Sequence, residues 1–546
     1  MSNSGAHHDT ESPSFGPFPE RRRAEFPAMN GADALVKASH AAGIAVCFAN
    51  PGTTEMAMVD ALTRSKTIRP VLALFEGVAS GAADGYARLA GKPASVMLHL
   101  GPGLGNATAN LHNARRGQSP VVTWVGDHTT WLLPHDPPLA SDIAAIARGT
   151  SKWVRTASSV DALPLDAVAA IEAAISPVAG VATLVLPADL LEMQLPAGFV
   201  MPAETPAARI ASPLSDATVR HAAELVRGAK HPLFFIGGEA TDARAVKDAT
   251  RLAERVGGKV LFEQFPRCTR REPGLPSPDK LGYLPFQARA QLAEHDVVIV
   301  LGAGTPVPFF GYPGESPRLV ADGASVFDPA AGGRDVHDAL AALCDAFGAA
   351  TSPSAKAGRV EQDEPSGALQ PQTICQAIAR YLPEDAIVVD EGITSSLALY
   401  PSLTGAVPHD YIACKGGSIG FGIPVATGAA IAAPGRRVVA YAGDGSAAYT
   451  IQALWTQARE SLDVTNVILA NDKYAVLQME LMRSGGALEG AGSDLTELNR
   501  PSLDFESIAK GFGVPARTAR DVDSFVKALR ESFATRGPML INCVFG

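Results

Sequence analysis

The 546-residue sequence is short of cysteine, aromatic residues and long apolar runs, and each shortage removes a class of protein. The six cysteines, Cys47, Cys268, Cys344, Cys375, Cys414 and Cys543, are scattered, with no C-x-x-C pair. That spacing speaks against a disulfide framework or a cysteine metal cage and leaves isolated buried thiols. Aromatics make up only 6% of residues while glycine and alanine abound, which suits packed α/β layers better than a β-sandwich. Nowhere do 18 apolar residues run together, so no membrane partner is expected. A net charge of −10 with no long Lys/Arg run argues against a nucleic-acid surface. The opening MSNSGAHHDTESP has no apolar signal core, so a cytoplasmic protein is expected. Residues 1–28, with the basic cluster Arg21–Arg23, read as a disordered leader.

What the chain does have is a repeated pattern of short β-rich runs separated by helix-length segments. Pro/Ala-rich residues 196–213 and Ser/Gly/charge-rich residues 351–370 divide it into 29–195, 210–350 and 368–546. The first part carries AVCFA (45–49), VLALF (71–75), ASVMLH (94–99), VVTWV (121–125) and ATLVL (182–186). The second carries LFFIGG (233–238), KVLFEQF (259–265) and DVVIVLGAG (296–304); the third AIVVD (386–390), RVVAYA (437–442), VTNVILA (464–470) and MLINCV (539–544). Continuous apolar runs between helices are characteristic of buried parallel strands. The expected fold is three parallel-sheet α/β domains, with ligand sites at the carboxyl ends of strands.

Two such strand ends carry chemistry in one βαβ unit. RVVAYA runs into Gly443-Asp444-Gly445-Ser446 and a helix, and the next strand ends at Asn471. The glycines let the backbone turn tightly and approach an anion. Asp444 offers a carboxylate and Asn471 an amide oxygen, hard donors that suit a Mg²⁺ ion clamping a diphosphate. With 25 residues between Gly445 and Asn471, the stretch resembles the thiamine-diphosphate signature GDG-x-NN. The resemblance implies Asp444, Asn471 and the backbone carbonyl of Lys473 as metal ligands, and Gly443, Gly445 and Ser446 as cofactor contacts. One departure is Ala470, where the family has its first Asn.

Glu76 stands where a strand run meets a helix, a place that suits any helix-start acid. Gly77, Gly81 and Gly85 follow at every fourth residue, each costing roughly 1 kcal/mol relative to alanine in a helix. Such a stripe needs close packing against another helix, within the chain or across a subunit contact. NPGTTE (50–55), FEG…ADGYAR (75–88), KPA…LH (92–99), GPGLGNA (101–107) and SPVV…VGD (119–127) resemble the pyrimidine-binding domain of the acetolactate synthase and benzoylformate decarboxylase group. The resemblance makes 29–195 pyrimidine-binding, 210–350 central and 368–546 diphosphate-binding. It puts Glu76 on the catalytic glutamate, whose carboxyl at N1′ of the aminopyrimidine lets the 4′-nitrogen take the C2 proton. In GGSIGFGIP (416–424) it makes Ile419 the wedge that bends the cofactor, and Gly417 the acceptor for its amino group. Thr394 and Ser395 of EGITSS are further cofactor candidates. Glu76 and Asp444 would come from different subunits of a homodimer or homotetramer.

Above the cofactor, His99 matches the decarboxylase histidine and Thr53 the position that contacts the substrate carboxylate. His135 falls near a loop that carries active-site histidines in simpler decarboxylases, and Leu477, Met479 and Glu480 are pocket candidates. VPFFGYPG (307–314) lacks the second decarboxylase histidine, and EGITSS lacks synthase markers. The expected activity is decarboxylation of a 2-oxo acid with release of an aldehyde. Transfer of the acyl carbanion to a second carbonyl is the alternative. Remoter alternatives are an NAD-linked oxidoreductase, reading GPGLG and Asp127 as a dinucleotide fingerprint, and a non-catalytic homologue. Whether the central domain holds FAD stays open from LFFIGG and VLGAGTP.

Overall fold

The computed structural model describes residues 29–203, 207–354, 358 and 360–545; the expected leader, 1–28, lies outside them. The described residues form three sheets, parallel except for one edge strand. The first contains β1 (Val46–Asn50), β2 (Arg69–Leu72), β3 (Ala94–His99), β4 (Val121–Asp127), β5 (Trp153–Thr156) and β6 (Val181–Pro187), in the order β2-β1-β3-β4-β6-β5. The middle of the chain supplies β7 (Pro232–Ile236), β8 (Lys259–Phe262), β9 (Thr269–Arg271), β10 (Asp279–Lys280), β11 (Val297–Leu301) and β12 (Ser325–Phe327). All of these except β9 form the second sheet, ordered β10-β8-β7-β11-β12. The third adds β13 (Ala386–Glu391), β14 (His409–Ala413), β15 (Val438–Gly443), β16 (Val464–Ala470), β17 (Ala516–Ala519) and β18 (Met539–Val544). Its order is β17-β18-β16-β15-β13-β14-β9, with β9 antiparallel to β14.

The apolar runs became strands because they are buried on both faces; β4, β6 and β16 are buried along their whole length. One run is shifted. The strand expected over 71–75 ends at Leu72, and Ala73–Phe75 leads into the helix Glu76–Ala90. The middle segment also does not stay within one layer, since β9 crosses to extend the third sheet.

Strand order reverses between β1 and β3 in the first sheet and between β13 and β15 in the third. Open α/β sheets bind ligands at such switch points, beyond the carboxyl ends of the strands. Those ends carry Thr53, Glu76 and His99 in one sheet, and Glu391–Ser395 and Gly443–Ser446 in the other.

The first and third sheets share one continuous core. In it Val78, Ala79, Ala82 and Ala83 cluster with Ile423, Val425, Ala426 and Ala429. The glycine stripe makes this possible, and its packing partner is in the same chain. A Cβ on Gly85 would overlap the Val425 carbonyl, one on Gly81 would press on Pro424, and one on Gly428 would overlap the Ala82 carbonyl. Helix Glu76–Ala90 and helix Gly422–Ala432 therefore cross backbone to backbone.

Candidate active site

On the third sheet, β15 ends at Gly443 and Asp444 opens the short helix Asp444–Tyr449. Asp444 is buried; Oδ1 accepts from Gly445 N–H at 2.8 Å and Oδ2 from Asp472 N–H at 2.7 Å. Burial raises its pKa against the pull of those N–H groups. Asn471 lies at the adjacent strand end, its Oδ1 accepting from Lys473 N–H at 3.2 Å. One carboxylate, one amide oxygen and nearby backbone carbonyls are thus collected at two neighbouring strand ends. They are hard oxygen donors that suit Mg²⁺. A Cβ on Gly445 would overlap the Tyr474 ring, whereas one on Gly443 would meet only Ser446 Oγ, at 3.9 Å.

Beyond β13, Ser395 is buried and Thr394 half-buried in the turn Ile393–Leu397. Ile393 has φ +53°, a left-handed value that a β-branched residue rarely adopts. Leu100, directly after His99, and Asp472, directly after Asn471, are left-handed too (φ +56° and +55°). Three strand ends carrying candidate site residues therefore hold a strained non-glycine bend.

Glu391, which sequence reasoning did not select, is buried and accepts from Phe421 N–H (2.8 Å) and Gly422 N–H (2.7 Å), just past the segment with Gly417 and Ile419. Burial pushes its carboxyl up to about 7, against the pull of those donors. A carboxyl raised above its unfolded value supports the fold in its protonated form. That support is complete below about 4.5 and is lost as pH rises through about 7. The thermal midpoint should therefore decline between about pH 4.5 and 7 and level off above, and Glu391→Gln should flatten that part of the profile. Equal slopes in the two proteins would remove Glu391 as the cause.

On the first sheet, Glu76 is half-buried, with Oε2 accepting from Asn106 Nδ2 at 3.1 Å. His99 Nδ1 lies 2.9 Å from Glu55 Oε2 and 3.2 Å from Thr54 Oγ1. Glu55 is buried, and Oε2 also accepts from Gly52 N–H at 2.6 Å. Gly52 and Gly126 make room for the pair: a Cβ on the first would overlap the His99 ring, and on the second the Glu55 carboxylate. Thr53 is exposed, and its neighbour Thr54 is the one that reaches His99. His135 is exposed in a one-turn helix, Leu133–His135, beyond β4.

The helix Leu100–Arg116 ties the two sheets together. Asn110 Nδ2 donates to Gly77 O (2.8 Å) and Gly420 O (3.0 Å), so one buried amide joins the Glu76 helix to the Gly417–Ile419 segment. Asn113 Nδ2 donates to Ser418 O at 2.8 Å, and its Oδ1 accepts from Ser418 N–H at 3.1 Å. Gly417 takes φ +74°, and Ile419 is half-buried. Gly101–Gly105 lie within this helix, so GPGLG forms no phosphate-cradling loop. Asp127, expected as its ribose partner, is buried and bonded to His128 N–H.

The middle sheet supplies a roof. Phe309 packs on Gly417 and stacks edge-on with Phe265 and Phe310, at centroid distances of 5.7 and 4.9 Å. Tyr312 OH donates to Glu480 Oε1 at 3.1 Å, fixing Glu480, while Leu477 and Met479 are about half exposed. At the Gly237-Gly238 turn, the Gly238 N–H donates to Glu263 Oε1 (2.8 Å), which pairs with Lys415 Nζ (2.7 Å). The chain's own carboxylate thus occupies the Gly238 N–H donor at this turn.

Paired switch points that present acid, amide and glycine backbone define a cofactor-dependent α/β enzyme. Residues 29–146 match the family described as "Thiamine pyrophosphate enzyme, N-terminal TPP binding domain", and 396–543 its C-terminal TPP binding domain. The chain is 45% identical over 519 residues to "Putative acetolactate synthase large subunit IlvX" of Mycobacterium tuberculosis, covering 94% of this chain and 99% of that one. It is 30% identical to a benzoylformate decarboxylase of Pseudomonas aeruginosa, covering 92% and 96%. A thiamine diphosphate-dependent 4-hydroxybenzoylformate decarboxylase of Rhodococcus jostii superposes with a TM-score of 0.81 at 26% identity, over 94% of this chain and 98% of that one. The protein belongs to the thiamine-diphosphate-dependent enzymes related to acetolactate synthase and benzoylformate decarboxylase. That membership sets aside the NAD-linked reading. Among the described residues no helix is long and apolar enough to cross a membrane.

Proposed function

We propose that the enzyme decarboxylates a 2-oxo acid with thiamine diphosphate and Mg²⁺ and releases an aldehyde. The observation that carries this reading is the Glu55–His99 pair, a buried carboxylate orienting a partly exposed imidazole at the switch point that also carries Glu76. Asp444, Asn471 and the Lys473 carbonyl would hold Mg²⁺, and Gly443, Gly445, Ser446, Thr394 and Ser395 would contact the cofactor. Bound thiamine diphosphate supplies a nucleophilic carbon and an electron sink. With the cofactor bound, Glu76, steadied by Asn106, would hold the proton at pyrimidine N1′, and Ile419 and Gly417 would contact its rings. Thr53 receives the substrate carboxylate, and His99 handles the product proton, its ring held by Glu55. Exposed Leu74, Trp131, Leu477 and Met479 fit a second copy closing over the site, in a homodimer or homotetramer.

A second reading is favoured by the roof. Phe309 over Gly417 offers no second proton donor, so the acyl group could wait for a second carbonyl and form an acyloin. The same ring-lined wall suits a bulky apolar substrate group. With cofactor and Mg²⁺ supplied, benzoylformate should be consumed faster than pyruvate, with aldehyde as the main product. Acyloin as the main product would replace the first reading with the second. Consumption of no 2-oxo acid at all would sink both.

A further inference from the structure

Asp390, which plays no part in the chemistry proposed above, lies near the carboxyl end of β13, beside the order reversal of the third sheet. It is buried, and Oδ1 accepts from Gly392 N–H at 3.1 Å and from the Ser396 hydroxyl at 2.5 Å. Those donors stand on either side of Thr394 and Ser395, so one oxygen closes the turn that carries both. The turn needs the closure. Ile393 within it is left-handed at φ +53°, a strained conformation that persists only where its surroundings over-determine it. Tyr441 O–H adds a bond to Ser395 O at 3.2 Å, and its ring fills the space a Cβ on Gly392 would need. Ile393 and Leu397 are exposed, so the turn is held from its inner side.

The middle layer reaches the same carboxylate. Asp390 Oδ2 accepts from Tyr411 O–H at 2.5 Å, and the Tyr411 oxygen accepts in turn from Lys280 Nζ at 3.2 Å. Lys280 stands on β10, the edge strand of the middle sheet. Its ammonium lies over the rings of Tyr400 and Tyr411, 4.4 and 5.2 Å from their centroids. Burial lowers the Lys280 pKa to about 8, and the charge that pulls it back up is that of Asp390. Burial and the same carboxylate hold the Tyr411 phenol in its protonated form, so it can donate. Donors therefore run one way, from ammonium to phenol to carboxylate, and in a low-dielectric interior each such bond strengthens the next.

We infer that Asp390 is a positioning residue for thiamine diphosphate: it holds the turn Ile393–Leu397 in its binding shape, and Lys280 braces it through Tyr411. The inference rests on the cofactor contacts proposed above for Thr394 and Ser395. It makes cofactor capture by the first and third sheets depend on a lysine of the middle layer, outside the site itself. The strain at Ile393 is then kept for a purpose, since relaxing it would move the two side chains that meet the cofactor.

The test is isothermal titration of the full chain, freed of cofactor and supplied with Mg²⁺, with thiamine diphosphate, beside melting temperatures without cofactor. Asp390→Asn should raise the Kd about 10- to 100-fold, the loss expected for one charge-assisted hydrogen bond. At saturating cofactor its KM for the 2-oxo acid should keep the wild-type value, because the substrate groups are untouched. Ser396→Ala should raise the Kd by a smaller factor, and it decides the matter if Asp390→Asn does not fold. Tyr411→Phe and Lys280→Met should each raise the Kd as well. The double variant should do no worse than Tyr411→Phe alone, because the lysine acts through the phenol. A carboxylate serving stability alone would instead give lower melting temperatures with the wild-type Kd in folded protein. That result, or fully additive losses in the double variant, would overturn the inference and leave the cofactor contacts standing. Unchanged Kd in both Thr394→Ala and Ser395→Ala would overturn those contacts, and the inference with them.

Discussion

Glu76→Gln should lower turnover of a 2-oxo acid by about 10²–10⁴-fold, the range for losing a positioned general acid–base group. Glutamine preserves the shape and can still meet Asn106, but it cannot hold a proton at the pyrimidine nitrogen. The diagnostic readout is exchange of the thiazolium C2 hydrogen, followed by NMR on quenched samples. Wild type should exchange rapidly and the variant slowly, with cofactor retention and melting temperature little changed. Exchange at the wild-type rate in the variant would remove Glu76 from its assigned role. No exchange in wild type would favour a non-catalytic homologue.

The second large effect is structural. Gly428→Val should destabilise the protein by more than about 3 kcal/mol, the upper part of the usual overpacking range, or prevent soluble expression. A side chain there meets the Ala82 carbonyl and the Tyr86 amide, which are backbone atoms and cannot swing aside. The reciprocal contact of Gly85 with the Val425 carbonyl predicts a similar cost for Gly85→Val. Gly228→Ala, at a helix end with open space around it, is the matched control and should leave the denaturation midpoint nearly unchanged. A midpoint for Gly428→Val equal to that of the control would contradict the crossing.

Three layers were legible because their inner strands are continuous apolar runs such as VTNVILA, buried at every position. Several strands at or beside an edge were not. β9 is Thr-Arg-Arg, β10 has two residues, and β14 opens on His-Asp, which leaves only Tyr411–Ala413 as its apolar part. Asp444 and Asn471 were legible because each ends such a run. Glu55 was not, because its partner His99 lies 44 residues away and a loop glutamate has no periodic mark. Asn110 and Asn113 look in sequence like the polar face of any helix, and only the fold brings the 416–420 backbone onto them. The left-handed bends at Ile393 and Leu100 have no signal at all, since their side chains disfavour that conformation.

The crossing of helices Glu76–Ala90 and Gly422–Ala432 also bears on how such a chain can be inherited. A recombination between the first and third layers would have to match the glycines of both helices, because each backbone is the mould for the other. The middle of the chain lies outside that crossing, and what it must keep is the β9 edge on β14 and the Phe309 contact with Gly417. For anyone building chimaeras, the natural cut points therefore flank the middle of the chain, and its two ends should be taken from one parent.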